Sequence, residues 1–171
     1  MLIKTVVLIA GLLIALVFFQ VFLIEYFSLN LPKTVTEKTT EVGWCLFFRC
    51  EKISYPSIAN VTEPSLEIGF DVGPEDLKFG QIPIGGGGKR FINVANEDKN
   101  RAKVEFKAFG NISPYIYFEP KNFLLKTGES EDITVELKTK PEMEAGYYSG
   151  GVTLIRFSAK IDYMDFLLEW V

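Results

Sequence analysis

Residues 132–140 read DITVELKTK. Ile133, Val135 and Leu137 alternate with Thr134, Glu136 and Lys138. A strand sends successive side chains to opposite faces, so this period of two gives one apolar and one polar face. KVEFKAF at 103–109 repeats the pattern: Val104, Phe106 and Ala108 point one way, Lys103, Glu105 and Lys107 the other. FINVAN at 91–96 puts Ile92 and Val94 on one face, and PYIYFEP (114–120) and GGVTLIRF (150–157) are further strand candidates. One polar face per strand implies antiparallel sheets covered on one side. Turn signals separate the strands at short intervals: Gly73-Pro74, four glycines at 85–88, Asn96-Glu97-Asp98, Gly110-Asn111, Thr127-Gly128 and Ala145-Gly146. Many short strands at such spacing predict an all-β fold, an antiparallel β-sandwich over residues 65–160.

Two longer stretches carry a family resemblance. LKFGQIPIGGGGKRFINVAN, residues 77–96, is similar to the L-x-F-G-x-[IV]-x-[IV]-G … R-x-[IV]-x-[VL]-x-N opening of ASH-type domains. These are immunoglobulin-like sandwiches related to major sperm protein. Residues 115–154 resemble the continuation of the same pattern, through F-x-P, L-x-x-G-[ED]-S and the closing G-x-[YF]-x-G, where Tyr148 reads as structural. The resemblance covers residues 66–158. It implies an immunoglobulin-like fold used for binding and scaffolding, with no catalysis, although fold alone does not carry function.

The glycine run followed by Lys89 and Arg90 raises the question of a phosphate cradle. A Walker loop needs G-x-x-x-x-G-K-[ST]. Counted back from Gly88-Lys89, the first glycine falls on Pro83, and the hydroxyl position holds Arg90. The following segment is strand-like, so no helix N-terminus is at hand for a phosphate. The run is expected to be a loop, Gly85 to Gly88, connecting two strands. Four glycines exceed what a turn requires, which leaves open a flexible contact tip or close approach by a partner.

The start of the chain is of another kind. TVVLIAGLLIALVFFQVFLI, residues 5–24, carries no charge, and only Thr5 and Gln20 are notably polar. Twenty residues at 1.5 Å each give about 30 Å, the thickness of a bilayer core. The run exceeds the apolar region of a signal peptide and ends without a small-residue cleavage pattern. Residues 1–27 are therefore expected to be an uncleaved transmembrane signal anchor, in contact with lipid through residues 5–24. Lys4 on the short side orients the N-terminus to the cytoplasm and the domain outside it. Two sequons, Asn60-Val61-Thr62 and Asn111-Ile112-Ser113, agree with that side and are candidate glycosylation sites.

Residues 28–64 read as a stalk, Thr-rich and charged, though its threonines leave room for an extended strand. It contains both cysteines, in GWCLFFRC (43–50). Outside the cytoplasm, Cys45 and Cys50 are expected to form a disulfide worth about 2 kcal/mol for so short a loop. Trp44, Leu46, Phe47 and Phe48 then have two readings: ordinary core, or an apolar knuckle on the membrane or a partner. The tail, residues 161–171, ends on Trp170-Val171. Ile161, Met164, Leu168 and Val171 share a helical face, while Phe166 and Trp170 widen the apolar side. Helix and added strand both remain open. Trp44, Phe47, Phe48, Phe166 and Trp170 are the interaction candidates.

Charge and composition narrow the function. The chain has 18 Lys+Arg against 22 Asp+Glu and no histidine. That balance leaves no basic footprint for nucleic acid. Without histidine there is no Ser-His or Cys-His nucleophile pair and no His-ligated metal. The acidic pairs lack the spacing of a calcium loop. No catalytic, cofactor-binding or metal-ligating residue is expected, and no small-molecule substrate. The anchor, the cysteine loop and the Lys/Glu/Ile-rich composition resemble archaeal surface proteins. The expected role is a non-enzymatic, extracytoplasmic binding or assembly module with a protein partner or self-assembly. The alternative is an accessory subunit of a larger membrane or envelope complex, such as an archaellum stator-like sandwich or a membrane-enzyme subunit.

Overall fold

The computed structural model describes residues 2–45, 47–63, 77–160 and 168–169. Among these residues helix α1, Leu2–Leu29, precedes nine strands. They are β1 (Thr39–Trp44), β2 (Phe48–Thr62), β3 (Leu77–Pro83), β4 (Gly87–Ala95), β5 (Ala102–Gly110), β6 (Ile116–Glu119), β7 (Asn122–Leu125), β8 (Ser130–Lys138) and β9 (Gly146–Ala159). The larger sheet runs β1-β2-β9-β5-β7, and β3 also joins β2. The smaller sheet runs β4-β8-β6.

The two sheets share one core. Val104 and Phe106 of β5 and Val152 and Leu154 of β9 meet Ile133, Val135 and Leu137 of β8 and Ile92 and Val94 of β4. These are the apolar faces expected from the period of two. Burial follows the alternation: Ile133, Val135 and Leu137 are buried, and Lys138 is exposed. Removing these apolar surfaces from water supplies the main stabilisation of such a domain.

Three features differ from the expectation. First, the boundary placed near residue 65 lies earlier, because residues 39–62 of the expected stalk are β1 and β2. β2 is central: β9 pairs along one edge from Phe48 to Val61. β1 and β3 share the other edge, opposite Arg49–Ser54 and Ser57–Thr62 respectively. Second, β2 and β3 pair in parallel, whereas every other pairing is antiparallel. Third, only Gly85 and Gly86 lie between strands, since Gly87 and Gly88 already belong to β4.

That third difference explains the glycine run. The chain leaves β3 in one sheet and enters β4 in the other through a tight turn, with Gly86 N–H donating to Pro83 O at 2.9 Å. Gly85 has φ of 77°, which favours glycine. A Cβ on Gly87 would lie 2.7 Å from Leu137 O, too close for the paired strand to accept. One glycine serves the turn and another the close approach of two backbones.

α1 is long and apolar enough to cross a membrane. Most of its large side chains from Val6 to Phe19 are exposed. Beyond Phe19 the helix changes character, because Gln20, Ile24 and Ser28 are buried.

Candidate functional site

Gln20, Ile24, Phe27 and Ser28 lie three or four residues apart, so they occupy one face of the helix. That face rests on the outer surface of the larger sheet. Ile24 joins Cys45, Phe48, Cys50, Ile155, Phe157, Ala159 and Leu168 in a second apolar cluster, with Phe27, Phe47 and Leu124 packed against it. β9 contributes to both clusters by alternation, with Val152 and Leu154 turned inward and Ile155 and Phe157 turned toward the helix.

The disulfide closes one end of this surface. Cys45 and Cys50 are bonded, with Cα atoms 6.0 Å apart. Phe47 N–H donates to Gln20 Oε1 at 3.1 Å, fastening the loop to the helix. Lys160 secures the loop from the other side: its N–H donates to Phe47 O at 2.9 Å and its ammonium to Cys45 O at 3.0 Å. Gln20 Nε2 is buried with no hydrogen-bond acceptor among the described residues.

At the other end the sheet caps the helix. The last carbonyls of a helix have no intrahelical donor and carry partial negative charge. α1 has no basic residue in its last turn. Lysines of the sheet supply the cations instead. Lys52 Nζ donates to Asn30 O at 2.6 Å. Lys107 Nζ donates to Ser28 Oγ at 2.5 Å and to Ser28 O at 3.5 Å. Ser28 Oγ in turn donates to Glu105 Oε2 at 3.3 Å. Lys52 also sits 4.2 Å from the centre of the Phe27 ring, within cation–π range.

Lys52 is 3% exposed. Burial holds its ammonium pKa below the ordinary lysine value; Lys107 adds to the depression and Glu41 opposes it. Gly43 completes the seat. A Cβ there would overlap the Phe27 ring, so the ring lies directly on the β1 backbone. Ser54 and Thr153, both buried on this face, satisfy each other across β2 and β9 at 3.0 Å.

The interaction candidates separate. Phe48 is fully buried in the second cluster and Phe47 is half-buried at its edge. Trp44 ends β1. Phe166 and Trp170 lie outside the described residues, but Leu168 between them is buried against Ile24 and the cystine, and Glu169 pairs with Arg101 at 3.7 Å. Asn60 and Asn111 are both exposed. Asn111 Oδ1 accepts from Ser149 N–H at 2.6 Å. The cations after the glycine run are engaged within the fold: Lys89 lies 3.7 Å from Glu136, and Arg90 Nε donates to Lys78 O at 2.9 Å.

Sequence reasoning missed Lys52, Lys107, Gly43 and Ser28 as parts of one junction. A signal existed in Gln20, the polar residue inside the apolar run, and in its spacing to Ile24 and Ser28. Comparison with family models, curated proteins and solved structures returns no match to this chain.

Proposed function

We propose that this chain is a single-pass membrane protein presenting an immunoglobulin-like sandwich on the extracytoplasmic side, with its N-terminus cytoplasmic, as a non-enzymatic binding or assembly module. The observation that carries the reading is the junction itself. A helix bare along most of its length ends on a sheet face built to receive it, with lysines bonded to Ser28 and Asn30 at its C-terminal end and a disulfide closing the seat. An apolar helix exposed over so many turns needs lipid around it. The disulfide supports an oxidising side for the domain. Two packed sheets with ASH-like residues at core positions, Leu77, Phe79, Ile82, Ile92 and Val94, support the immunoglobulin-like assignment. Binding is favoured over catalysis because the polar groups of the junction act on one another and on the helix end.

The accessory-subunit reading draws on a separate observation. Phe91 stands 71% exposed on the outer face of the smaller sheet, where β4 is an edge strand, a place for a partner in a larger complex. Two measurements test the pair. Carbonate washing of native membranes should leave the protein in the pellet, and protease added outside intact cells should remove the domain. Release by carbonate, a mature N-terminus near residue 28, or protection of the domain contradicts the anchor and its orientation. A stoichiometric partner in a native-membrane pull-down selects the subunit reading over the independent module.

A further inference from the structure

Two bonds set the level of the domain against its anchor. Phe47 N–H meets Gln20, and Lys52 reaches Asn30 O, so β2 runs beside α1 in the same direction. From Phe47 to Arg49 the strand advances about 7 Å, and from Gln20 to Ile24 the helix rises about 6 Å. Arg49 therefore stands level with Ile24, the last residue of the apolar run, where acyl chains give way to headgroups.

At that level the end of the sandwich holds a recess of about 180 Å³, walled by Arg49, Asp98, Lys99, Asn100, Ser158 and Lys160. Three cations face one carboxylate. Asp98 is already engaged: its Oδ2 accepts from Ser158 Oγ at 2.8 Å and lies 3.8 Å from Arg156. Lys160 is committed to Cys45 O and adds only its charge. The open donors are those of Arg49 and Lys99. Arg49 Nη1 stands 3.9 Å from Asp98 Oδ1, beyond hydrogen-bond distance, with its side chain 52% exposed. Lys99 is exposed, and its ammonium meets no acceptor among the described residues. The backbone beneath it is fixed, because Lys99 O accepts from Thr127 Oγ1 at 2.7 Å and Asn100 Nδ2 donates to Ala159 O at 2.9 Å.

We infer that this recess binds the phosphate of an anionic phospholipid headgroup in the extracytoplasmic leaflet. This rests on the anchor reading above. A guanidinium offers a planar fork of donors that matches phosphate oxygens, and the ammonium beside it adds a point charge. A basic recess at headgroup level meets phosphate at high local concentration. A zwitterionic headgroup brings its own cation to a recess that is already positive, so an anionic lipid is preferred. The bound lipid holds the end of the sandwich on the bilayer surface beside the anchor.

The test uses the full-length chain in detergent, with phosphatidylglycerol or phosphatidylcholine added and retained lipid counted by native mass spectrometry. The wild type should retain phosphatidylglycerol severalfold more strongly. Arg49→Gln/Lys99→Gln should lose that preference, while Lys89→Gln/Lys138→Gln, the same change of charge on the smaller sheet, should keep it. Because Arg49 also faces Asp98, Lys99→Gln alone is included, and it should weaken retention with its melting curve unchanged. Equal retention of the two lipids by the wild type, or equal preference in the two double variants, overturns the inference. Displacement of phosphatidylglycerol by an equal concentration of glycerol 3-phosphate would make a soluble phosphate the ligand and overturn the lipid assignment. Carbonate washing separates the two readings: any of these results with the wild type still in the membrane pellet leaves the anchor standing, whereas release of the wild type removes the basis for both.

Discussion

The two sheets present their outer faces to different surroundings. On the smaller sheet the outer face is wet. Lys89 and Lys138 flank Glu136 at 3.7 and 2.9 Å, Asn93 donates to Asp132 at 2.7 Å, and Phe91 stands exposed among them. On the larger sheet the outer face is dry. Lys52, Ser54 and Thr153 are buried there, and Ile24 and Phe27 of α1 pack with the cystine on the same face. Both faces carry polar residues, so composition does not distinguish them. What distinguishes them is whether the polar groups are taken out of water. A buried hydroxyl or ammonium without a partner is costly, and on the dry face each of these three residues has one.

The largest expected effect comes from Thr153→Asp compared with Thr134→Asp, both threonines on outer faces. Thr153 is fully buried against Ser54, so a carboxylate there should cost several kcal/mol, comparable to the stability of a whole domain. Thr134→Asp on the wet face should cost less than about 1 kcal/mol. Val135→Asp, one residue away and inward, should unfold the domain as Thr153→Asp does. Urea denaturation in detergent reads all three. Equal midpoints for the two threonine variants would erase the distinction between the faces.

A middle-sized effect tests the seat of the helix. Gly43→Ala should cost about 1–3 kcal/mol, because the added methyl meets the Phe27 ring. In the background of Phe27→Ala the same change should cost much less, and the coupling between them measures the contact. Removing the disulfide with Cys45→Ala/Cys50→Ala should cost about 2 kcal/mol.

A pH titration sharpens the contrast further. Burial lowers the Lys52 pKa in the folded state, so the unfolded chain binds more protons between the folded and the ordinary lysine values. Stability from this group therefore rises as pH increases through that window. The wild type should gain stability relative to Lys52→Met on going from neutral to alkaline pH, read as the difference between their melting curves. Glu136 has the same sign in a different window. The hydrogen bond from Lys138 lowers its pKa, so its contribution is present at neutral pH and lost as pH falls through the acid range. The smallest effect expected is Lys89→Ala, which removes one exposed ion pair and should change stability by less than about 1 kcal/mol.

The same contrast explains what was legible in the sequence. β4, β5 and β8 were found because one-sided burial writes a period of two. β2 reads as a stalk because both its faces are covered and its outer face, Phe48, Cys50, Lys52 and Ser54, mixes apolar and polar residues. No alternation survives when a polar residue is buried by a helix from elsewhere in the chain. The disulfide was legible from the spacing of Cys45 and Cys50. The capping lysines were not, because each lies far in sequence from the carbonyl it serves: Lys107 is 79 residues from Ser28. The glycine run reads as a loop from Gly85 to Gly88, but Gly87 and Gly88 are strand, and the need for glycine at 87, its approach to Leu137 O, is a tertiary contact.

The central claim is that the end of α1 covers the outer face of the larger sheet in the membrane-bound protein. Lysine acylation of the full-length wild-type chain in vesicles tests it directly, with a water-soluble active ester and modification of each lysine quantified by mass spectrometry. Lys126, its side chain 76% exposed, marks the rate of an open amine. Lys52 should react far more slowly than Lys126, and Phe27→Ala should accelerate it. Lys52 reacting as fast as Lys126 in the wild type would show the helix end away from the sheet and contradict the account.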